Sequence, residues 1–171
     1  MNDELAKRLA WFLAYASNCA AGKVTPRKDG IRFPCPCCGY LTLPERGVYE
    51  ICILCNWEDD GQDDPLANEV WGGPNGEYSL AEARRNFGLF LIMYDTAKGS
   101  TRLGGPDSSA EIEAKRTMIN AFNAMPSASD AGQLDELWKR VSRAESMLTA
   151  ETHRKIREYE ARQKGKGNTS V

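Results

Sequence analysis

CPCCGY at residues 35–40 and CILCNW at residues 52–57 carry the strongest structural signal in this chain. Each segment holds two cysteines with two residues between them, and thirteen residues separate the two pairs. Pairs at this distance are typical of a site in which four thiolates hold one zinc ion tetrahedrally. The spacing therefore predicts a structural zinc site with four ligands: Cys35, Cys38, Cys52 and Cys55.

Other chemistries of these cysteines remain open. A reducing cytosol disfavours disulfides, a redox-active dithiol needs only one pair, and iron can occupy the same four-cysteine site as zinc. Cys37 lies between two expected ligands and is expected to point away from the metal. Cys19 is expected to be a small buried residue of the first helix. Because a closed four-cysteine site leaves no open position for water, we predict no catalysis at the metal.

The composition is that of a globular protein of the cytoplasm. Of the 171 residues, 42% are hydrophobic, which is enough to build a core. No apolar run approaches the ~20 residues of a membrane span. Charged residues interrupt the apolar positions of the first segment, so we expect no secretory signal there. We therefore expect a cytoplasmic protein without a membrane partner.

The pattern outside the cysteines predicts an α+β fold, in which a small zinc-ribbon-like module with short antiparallel strands is flanked by helices. Short β-rich pieces are expected at residues 31–33, 41–43 and 48–51, separated by Gly and Pro turns. Apolar residues at helical spacing predict a helix over residues 3–20.

Three further helices are predicted from their capping residues. Ser79 and Ser108 each begin a capping box, and Asp130 is a candidate N-cap. The apolar stripe after Ser79 runs to Tyr94, so we expect that helix to reach it. A helix after Ser108 should stop before Pro126.

We divide the chain into three regions. They are an N-terminal helix and loop (1–30), a zinc-binding module with its own helix (31–97) and a helical C-terminal region (98–171). KGSTRLGGPD at residues 98–107 is the expected linker between the last two.

Four motifs follow one another between residues 33 and 90: CPCCGYLTL, YEICILCNWEDDGQDDP, GGPNGEYSL and AEARRNF. In this order they resemble the bacterial cysteine-rich CPCC family. The family typically has Pro and an aromatic residue where this chain has Ile53 and Asn56. The resemblance implies a zinc-ribbon-like domain without a known reaction, and some members look like parts of toxin–immunity gene neighbourhoods. It does not extend to the helices before and after.

Acidic residues are concentrated after the second cysteine pair. Eight acids and no Lys or Arg lie between Cys55 and Glu82, although the net charge of the chain is only −2. Most charge runs are solvated faces, but an acidic surface also speeds encounter with a basic partner such as a nuclease. The expected docking surface includes Glu58, Asp59, Asp60, Asp63 and Asp64.

Basic residues are concentrated near the other end of the chain. Nine lie between Lys139 and Lys166, interleaved with four acids, which is a weak signature of nucleic-acid binding. His153 is the only histidine, and we expect it to be exposed, without a nucleophile beside it. The tryptophans are expected in apolar packing: Trp11, Trp57, Trp71 and Trp138.

These observations favour a non-catalytic zinc-binding protein that acts by protein–protein interaction, most concretely a bacterial immunity protein that neutralises a toxin. The alternative is a regulatory zinc-ribbon protein that binds nucleic acid. No motif indicates an enzyme, although a site assembled from scattered residues would leave no motif. We therefore expect no enzymatic activity.

Overall fold

The computed structural model describes residues 3–96 and 105–167 and confirms the α+β class. Its helices and strands, in chain order, are α1 (Asp3–Ala20), β1 (Phe33–Pro34), β2 (Leu41–Leu43), α2 (Leu80–Phe90), α3 (Ser109–Ala124) and α4 (Ala131–Gly167). Most of the expected linker 98–107 lies outside the described residues. The division of the chain into three regions stays a prediction.

α1 forms where the apolar stripe predicted it. Its buried face includes Leu5, Phe12 and Cys19, spaced as neighbours on a helix require. The helix ends at Ala20, and the chain turns at Gly22, whose φ of 69° suits a residue without a side chain and whose amide donates to the carbonyl of Cys19 over 3.0 Å. The buried face lies against the module and against α3 and α4.

The β structure is smaller than the sequence predicted. β1 and β2 pair antiparallel, with Phe33 opposite Leu43. Residues 48–51 do not form a strand, and within them only Ile51 makes a bridge, to Glu58. Tyr49 explains the difference, because its φ of 65° interrupts the extended conformation that a strand requires.

α2 begins as predicted and ends early. Ser79 and Glu82 form the reciprocal hydrogen bonds of a capping box. Leu91 then adopts a left-handed φ of 59°, and its amide donates to the carbonyl of Phe87 over 2.9 Å. This conformation closes the helix, so Tyr94 lies beyond it, contrary to the prediction.

α3 and α4 pack along each other as an antiparallel pair. The capping box at Ser108 and the N-cap at Asp130 are both present, and α3 stops before Pro126 as predicted. At the start of α3, the buried carboxylate of Glu111 pairs with Lys155 of α4. Since a buried ion pair is stable only when its charges are matched, this contact fixes the register of the two helices.

Phe122 of α3 joins the helices to the module. Its ring packs edge-on against Phe12 of α1 at 5.6 Å, stacks on Tyr40 of the module at 5.3 Å and meets Trp138 of α4 at 5.8 Å. One continuous core therefore runs from the cysteine turns to α4. In the part of the chain that is described, no helix is both long and apolar enough to cross a membrane.

Candidate metal centre

The four predicted sulfurs lie together at one end of the two-stranded sheet, within 4.8 Å of one another. The sulfurs of Cys35 and Cys55 are 3.6 Å apart, and those of Cys38 and Cys52 are 3.7 Å apart. A tetrahedron with zinc–sulfur bonds of about 2.3 Å has edges of about 3.8 Å, whereas a disulfide bond is about 2.05 Å. The spacing fits a tetrahedral metal ion, and all six cysteines are free.

The first cysteine pair lies in a tight turn. The amide of Gly39 donates to the carbonyl of Cys35 over 2.8 Å, and the amide of Cys35 donates to the carbonyl of Tyr40 over 2.9 Å. Gly39 has a φ of 75°, a left-handed conformation that glycine adopts without strain. These bonds turn both sulfurs of the pair to the same side of the backbone.

The second pair repeats this turn almost atom for atom. The amide of Asn56 donates to the carbonyl of Cys52 over 2.8 Å, and the amide of Cys52 donates to the carbonyl of Trp57 over 2.8 Å. Asn56 has a φ of 66°. Two equivalent turns thus face each other and supply two sulfurs each.

The site is closed to water and has polar support. All four sulfur-bearing residues are 0% exposed. The hydroxyl of Thr42 lies 3.0 Å from the sulfur of Cys52, and the amide of Cys55 donates to the same sulfur over 3.5 Å. Such contacts orient a ligand and stabilise its thiolate form. Sequence reasoning missed Thr42, because a threonine on a strand carries no signal of its own.

Electrostatics show why this cluster suits a cation. Burial raises the pKa of the thiols of Cys35, Cys38 and Cys55 well above the ordinary value. Burial acts on Cys52 in the same direction, but hydrogen bonds from the other three thiols and from Thr42 outweigh it and lower its pKa. Four buried thiolates would repel one another, and a divalent cation among them removes that cost. Thiolates select zinc or iron rather than magnesium or calcium.

The two remaining cysteines stand outside the group of four. Cys37 is 1% exposed, and its sulfur is not one of those that lie within 4.8 Å of one another. Cys19 is 6% exposed on α1, which confirms the prediction of a buried position. Burial also raises the pKa of the Cys19 thiol.

The comparison with known protein families agrees with this geometry. Residues 33–103 match the family described as Cysteine-rich CPCC. The match contains both cysteine pairs and α2, and it confirms the resemblance that the motifs indicated. We call residues 33–103 the CPCC segment. No curated protein and no solved structure matches the chain.

Asp59 of the CPCC segment is not part of an acidic surface, contrary to the prediction. Its side chain is 0% exposed, and its Oδ2 accepts hydrogen bonds from Nε of Arg46 at 2.7 Å and from the amide of Gly47 at 2.8 Å. A buried carboxylate with a cationic partner holds a loop in place. Here it ties residues 46–47 to the segment that follows the second cysteine turn.

The other acids of the run are partly neutralised. Asp63 lies 3.2 Å from Nη2 of Arg46, and Asp64 lies 2.6 Å from Nη1 of Arg84. The carboxylate of Asp60 accepts hydrogen bonds from the amide of Gln62 at 3.1 Å and from Nδ2 of Asn75 at 3.2 Å. Arg46 and Arg84 lie outside the acid run along the chain, so a local count of charges does not reveal that they pair with it.

Asn75 is a second structural residue that sequence reasoning missed. It is 3% exposed, its Oδ1 accepts from the amide of Glu58 at 3.1 Å, and its Nδ2 donates to the carbonyl of Glu58 at 2.8 Å. The amide side chain thus bonds both the N–H and the C=O of Glu58, as the backbone of a neighbouring β-strand would. The only hint was its place in the GGPNGEY motif.

The remaining predicted residues divide into two groups. Trp57 and Trp138 are buried, at 1% and 6% exposed, and His153 is exposed, all as predicted. Trp71 is 44% exposed, so its predicted place in the core is wrong. It lies between turns that are stabilised by backbone hydrogen bonds, such as those from the amide of Glu69 to the carbonyl of Leu66 and from the amide of Gly76 to the carbonyl of Gly73.

Proposed function

We propose that the protein is a non-catalytic zinc-binding protein of the bacterial cytoplasm that acts by protein–protein interaction, most concretely as an immunity protein that neutralises a toxin. The observation that carries the metal part is the group of four buried sulfurs at tetrahedral spacing. With four protein ligands, the ion has no open position for substrate or water, which favours a structural role.

Zinc would stabilise the fold of the CPCC segment. β1 and β2 have two and three residues, too few to be stable alone in water. Structural zinc contributes on the order of 10 kcal/mol in small zinc-binding peptides. The residues that would hold it are Cys35, Cys38, Cys52 and Cys55.

Exposed apolar side chains support the interaction part of the proposal. Among the described residues of the CPCC segment, the large apolar side chains that are 40% exposed or more are Val48, Tyr49, Ile51, Leu66, Val70, Trp71 and Leu89. Apolar side chains among polar neighbours are common in protein interfaces. The acidic part of the proposed surface is reduced to Glu58, Asp60, Asp63 and Asp64. The immunity role itself is supported only by the gene neighbourhoods that the family resemblance implies.

Metal analysis tests the first part. We expect about one zinc ion per chain in protein purified under reducing conditions. Cys52→Ser and Cys55→Ser should lose the metal together with the near-UV signal of Trp57. Cys19→Ser and Cys37→Ser are the matched controls and should keep both. Metal-free protein that stays folded would overturn the proposal.

Co-expression with the product of the neighbouring gene tests the second part. We expect a stable complex and relief of any growth inhibition, and we expect Ile51→Glu to weaken both while the metal stays bound. Neither a complex nor relief would contradict the immunity role. Salt-dependent binding to DNA or RNA at low micromolar concentration would favour the nucleic-acid alternative.

A further inference from the structure

A groove of about 1150 Å³ lies on the helical side of the protein, outside the CPCC segment. One wall is the loop of residues 23–29 after α1, and the other is the first three turns of α4, up to Arg143. The turn between α3 and α4 closes one end. We call this feature the helical groove, and none of the four clustered cysteines lines it.

The floor of the helical groove is apolar and aromatic. It includes the half-buried ring of Trp11, which stacks on Tyr15 with centroids 5.6 Å apart and an angle of 15°. Val24 and Leu134 lie on either side, and both are half-buried against the core. Apolar groups at the bottom of a groove gain stability when a partner covers them.

The wall made by the loop is preformed. Arg27 forms a two-pronged ion pair with Glu145 of α4, with distances of 3.1 and 2.7 Å, and it also donates to the hydroxyl of Ser142 at 3.2 Å. Its side chain is 9% exposed. A paired guanidinium with both prongs engaged holds the loop rigidly against α4. The groove therefore exists before any partner arrives.

The acids that line the groove already have partners. Asp29 pairs with Arg27 and Arg32, Asp130 caps α4 through the amide of Gln133, and Asp135 pairs with Lys139 at 2.8 Å. Two of the three acids are thus paired with cations, and the lining as a whole carries more cations than acids.

Three cations of the lining are exposed and form no ion pair with any described residue: Lys23, Lys28 and Arg143. They come from both walls, Lys23 and Lys28 from the loop and Arg143 from α4. The groove thus combines an apolar floor with a positive rim. This combination is complementary to a ligand that carries apolar groups and carboxylates together.

We propose that the helical groove binds an acidic amphipathic segment of a partner protein. Its apolar side chains would lie on Trp11, Val24 and Leu134, and its Asp or Glu residues would face the three rim cations. The groove is open to solvent, and its volume of about 1150 Å³ lies close to the upper end of the range of about 300–1,000 Å³ for small-molecule sites, so a polypeptide segment fits it. The proposal stands independently of the toxin partner, because it uses a different surface.

Two other occupants fit less well. Single-stranded nucleic acid stacks successive bases on several exposed aromatic faces, but Tyr15 and Trp138 are only 9% and 6% exposed, which leaves the half-buried Trp11 as the single aromatic face of the lining. A second copy of this chain would have to offer its own acid run, of which Asp59 is buried and Asp63 and Asp64 are paired.

A random dodecapeptide library, selected on the zinc-loaded full chain, tests the proposal without assuming a partner. We expect the enriched peptides to have a net negative charge and at least two large apolar residues. The double variant Lys28→Glu/Arg143→Glu should weaken the best peptide at least tenfold. Arg157→Glu/Lys164→Glu makes the same charge change on the exposed far part of α4 and should leave binding within twofold. Trp11→Ala, with its fold verified by circular dichroism, should also weaken binding at least tenfold.

Several outcomes would overturn the proposal. They are the absence of enrichment, enrichment of basic peptides, or equal losses in the two double variants. Displacement of the peptide by a single-stranded oligonucleotide with tighter affinity would assign the groove to nucleic acid. A dimer seen by light scattering that dissociates only in Lys28→Glu/Arg143→Glu would assign it to a second copy.

Discussion

Gly39 and Asn56 occupy equivalent positions in the two cysteine turns, since each follows the second cysteine of its pair and each has a left-handed φ, of 75° and 66°. Asn is one of the few residues with a side chain that tolerates this conformation. Asn56 departs from the aromatic residue that the family resemblance implies, but it preserves the turn. The departure therefore leaves the geometry of the site intact.

Gly39→Ala should destabilise the zinc-loaded protein, because the added methyl group would lie 2.8 Å from Cδ1 of Leu5 and 3.2 Å from Cδ of Arg8. The side chains of Leu5 and Arg8 on α1 would have to shift to relieve these contacts. Together with the cost of a left-handed alanine, we expect the free energy of unfolding to fall by about 2–3 kcal/mol. Denaturant titration with zinc in excess measures it.

Two matched variants separate conformation from packing. Gly22 has a similar φ of 69° but no atom within 4 Å of an added methyl group, so Gly22→Ala should cost only about 1 kcal/mol. Asn56→Gly keeps the left-handed turn and should change stability by about 0.5 kcal/mol or less. Equal costs for Gly39→Ala and Gly22→Ala would contradict the close packing of α1 on the turn.

Metal binding to the folded chain should release protons near neutral pH. Burial raises the pKa of the thiols of Cys35, Cys38 and Cys55, so these hold their protons until a cation arrives, whereas the pKa of Cys52 is already lowered. Lower pH restores the protons, so the apparent affinity must fall as pH falls. Calorimetry in two buffers of different ionisation enthalpy measures the number released.

Thr42→Val removes the hydroxyl that supports the sulfur of Cys52 and keeps the shape of the side chain. We expect zinc affinity to fall about tenfold and proton release to rise, because the pKa of Cys52 moves up. Thr149→Val, at an exposed position of α4, is the control. Unchanged affinity in Thr42→Val, measured by competition with a chromogenic chelator, would show that the hydroxyl does not support the site.

Features that depend on neighbouring residues could be predicted from the sequence. The cysteine pairs, the capping boxes at Ser79 and Ser108 and the end of α3 before Pro126 each depend on a few adjacent positions. The early end of α2 could not be predicted, because apolar spacing continues to Tyr94 while the left-handed Leu91 closes the helix. The spacing of apolar residues shows which face of a helix is buried. It does not show where the helix ends when the residue that closes it is neither Gly nor Pro.

The acidic run shows the second limit of sequence reasoning. A count of charges along residues 55–82 predicts an acidic surface. The electrostatic potential of that surface also depends on ion pairs with basic residues that are distant in the sequence. Arg46 forms an ion pair with the buried carboxylate of Asp59, and Arg84 of α2 forms an ion pair with Asp64. Both partners stand outside the counted window, so a local count overestimates the exposed charge.

Arg46→Ala should destabilise the protein by about 2 kcal/mol, because the buried carboxylate of Asp59 would keep only the amide of Gly47 as partner. Loss of one partner of a fully buried pair costs about 3–5 kcal/mol, and the partial exposure of Arg46 reduces this. Thermal and denaturant unfolding of the zinc-loaded protein measure the change.

The double variant Arg46→Ala/Asp59→Asn tests whether the two residues act together. We expect it to lose less stability than the sum of the two single variants, because neutral Asn leaves no buried charge. Lys7→Ala is the surface control, since Lys7 and Asp3 form an exposed pair on α1, and it should change stability by about 0.5 kcal/mol or less. Additive effects of Arg46→Ala and Asp59→Asn would contradict a coupled pair.

Tyr15 should make stability fall in alkaline solution. Its hydroxyl accepts a hydrogen bond from Nε1 of Trp138 at 3.0 Å, and burial raises the pKa of Tyr15 to about 12. In the unfolded chain a tyrosine ionises near pH 10. The folded state therefore keeps a proton that the unfolded state loses, and stability present below about pH 10 is lost as pH rises towards about 12.

Tyr15→Phe should flatten this dependence. It removes the ionisable group, and below pH 10 it should cost about 1 kcal/mol, because the indole N–H of Trp138 loses its acceptor. Burial also raises the pKa of Tyr40, so some alkaline loss remains. Tyr159→Phe, at a position 41% exposed, should leave the pH profile unchanged. The free energy of unfolding of both proteins should be measured from pH 8 to 11.5. If it falls with pH equally in Tyr15→Phe and in the parent protein, Tyr15 has the same pKa in the folded and unfolded states, which would contradict the prediction.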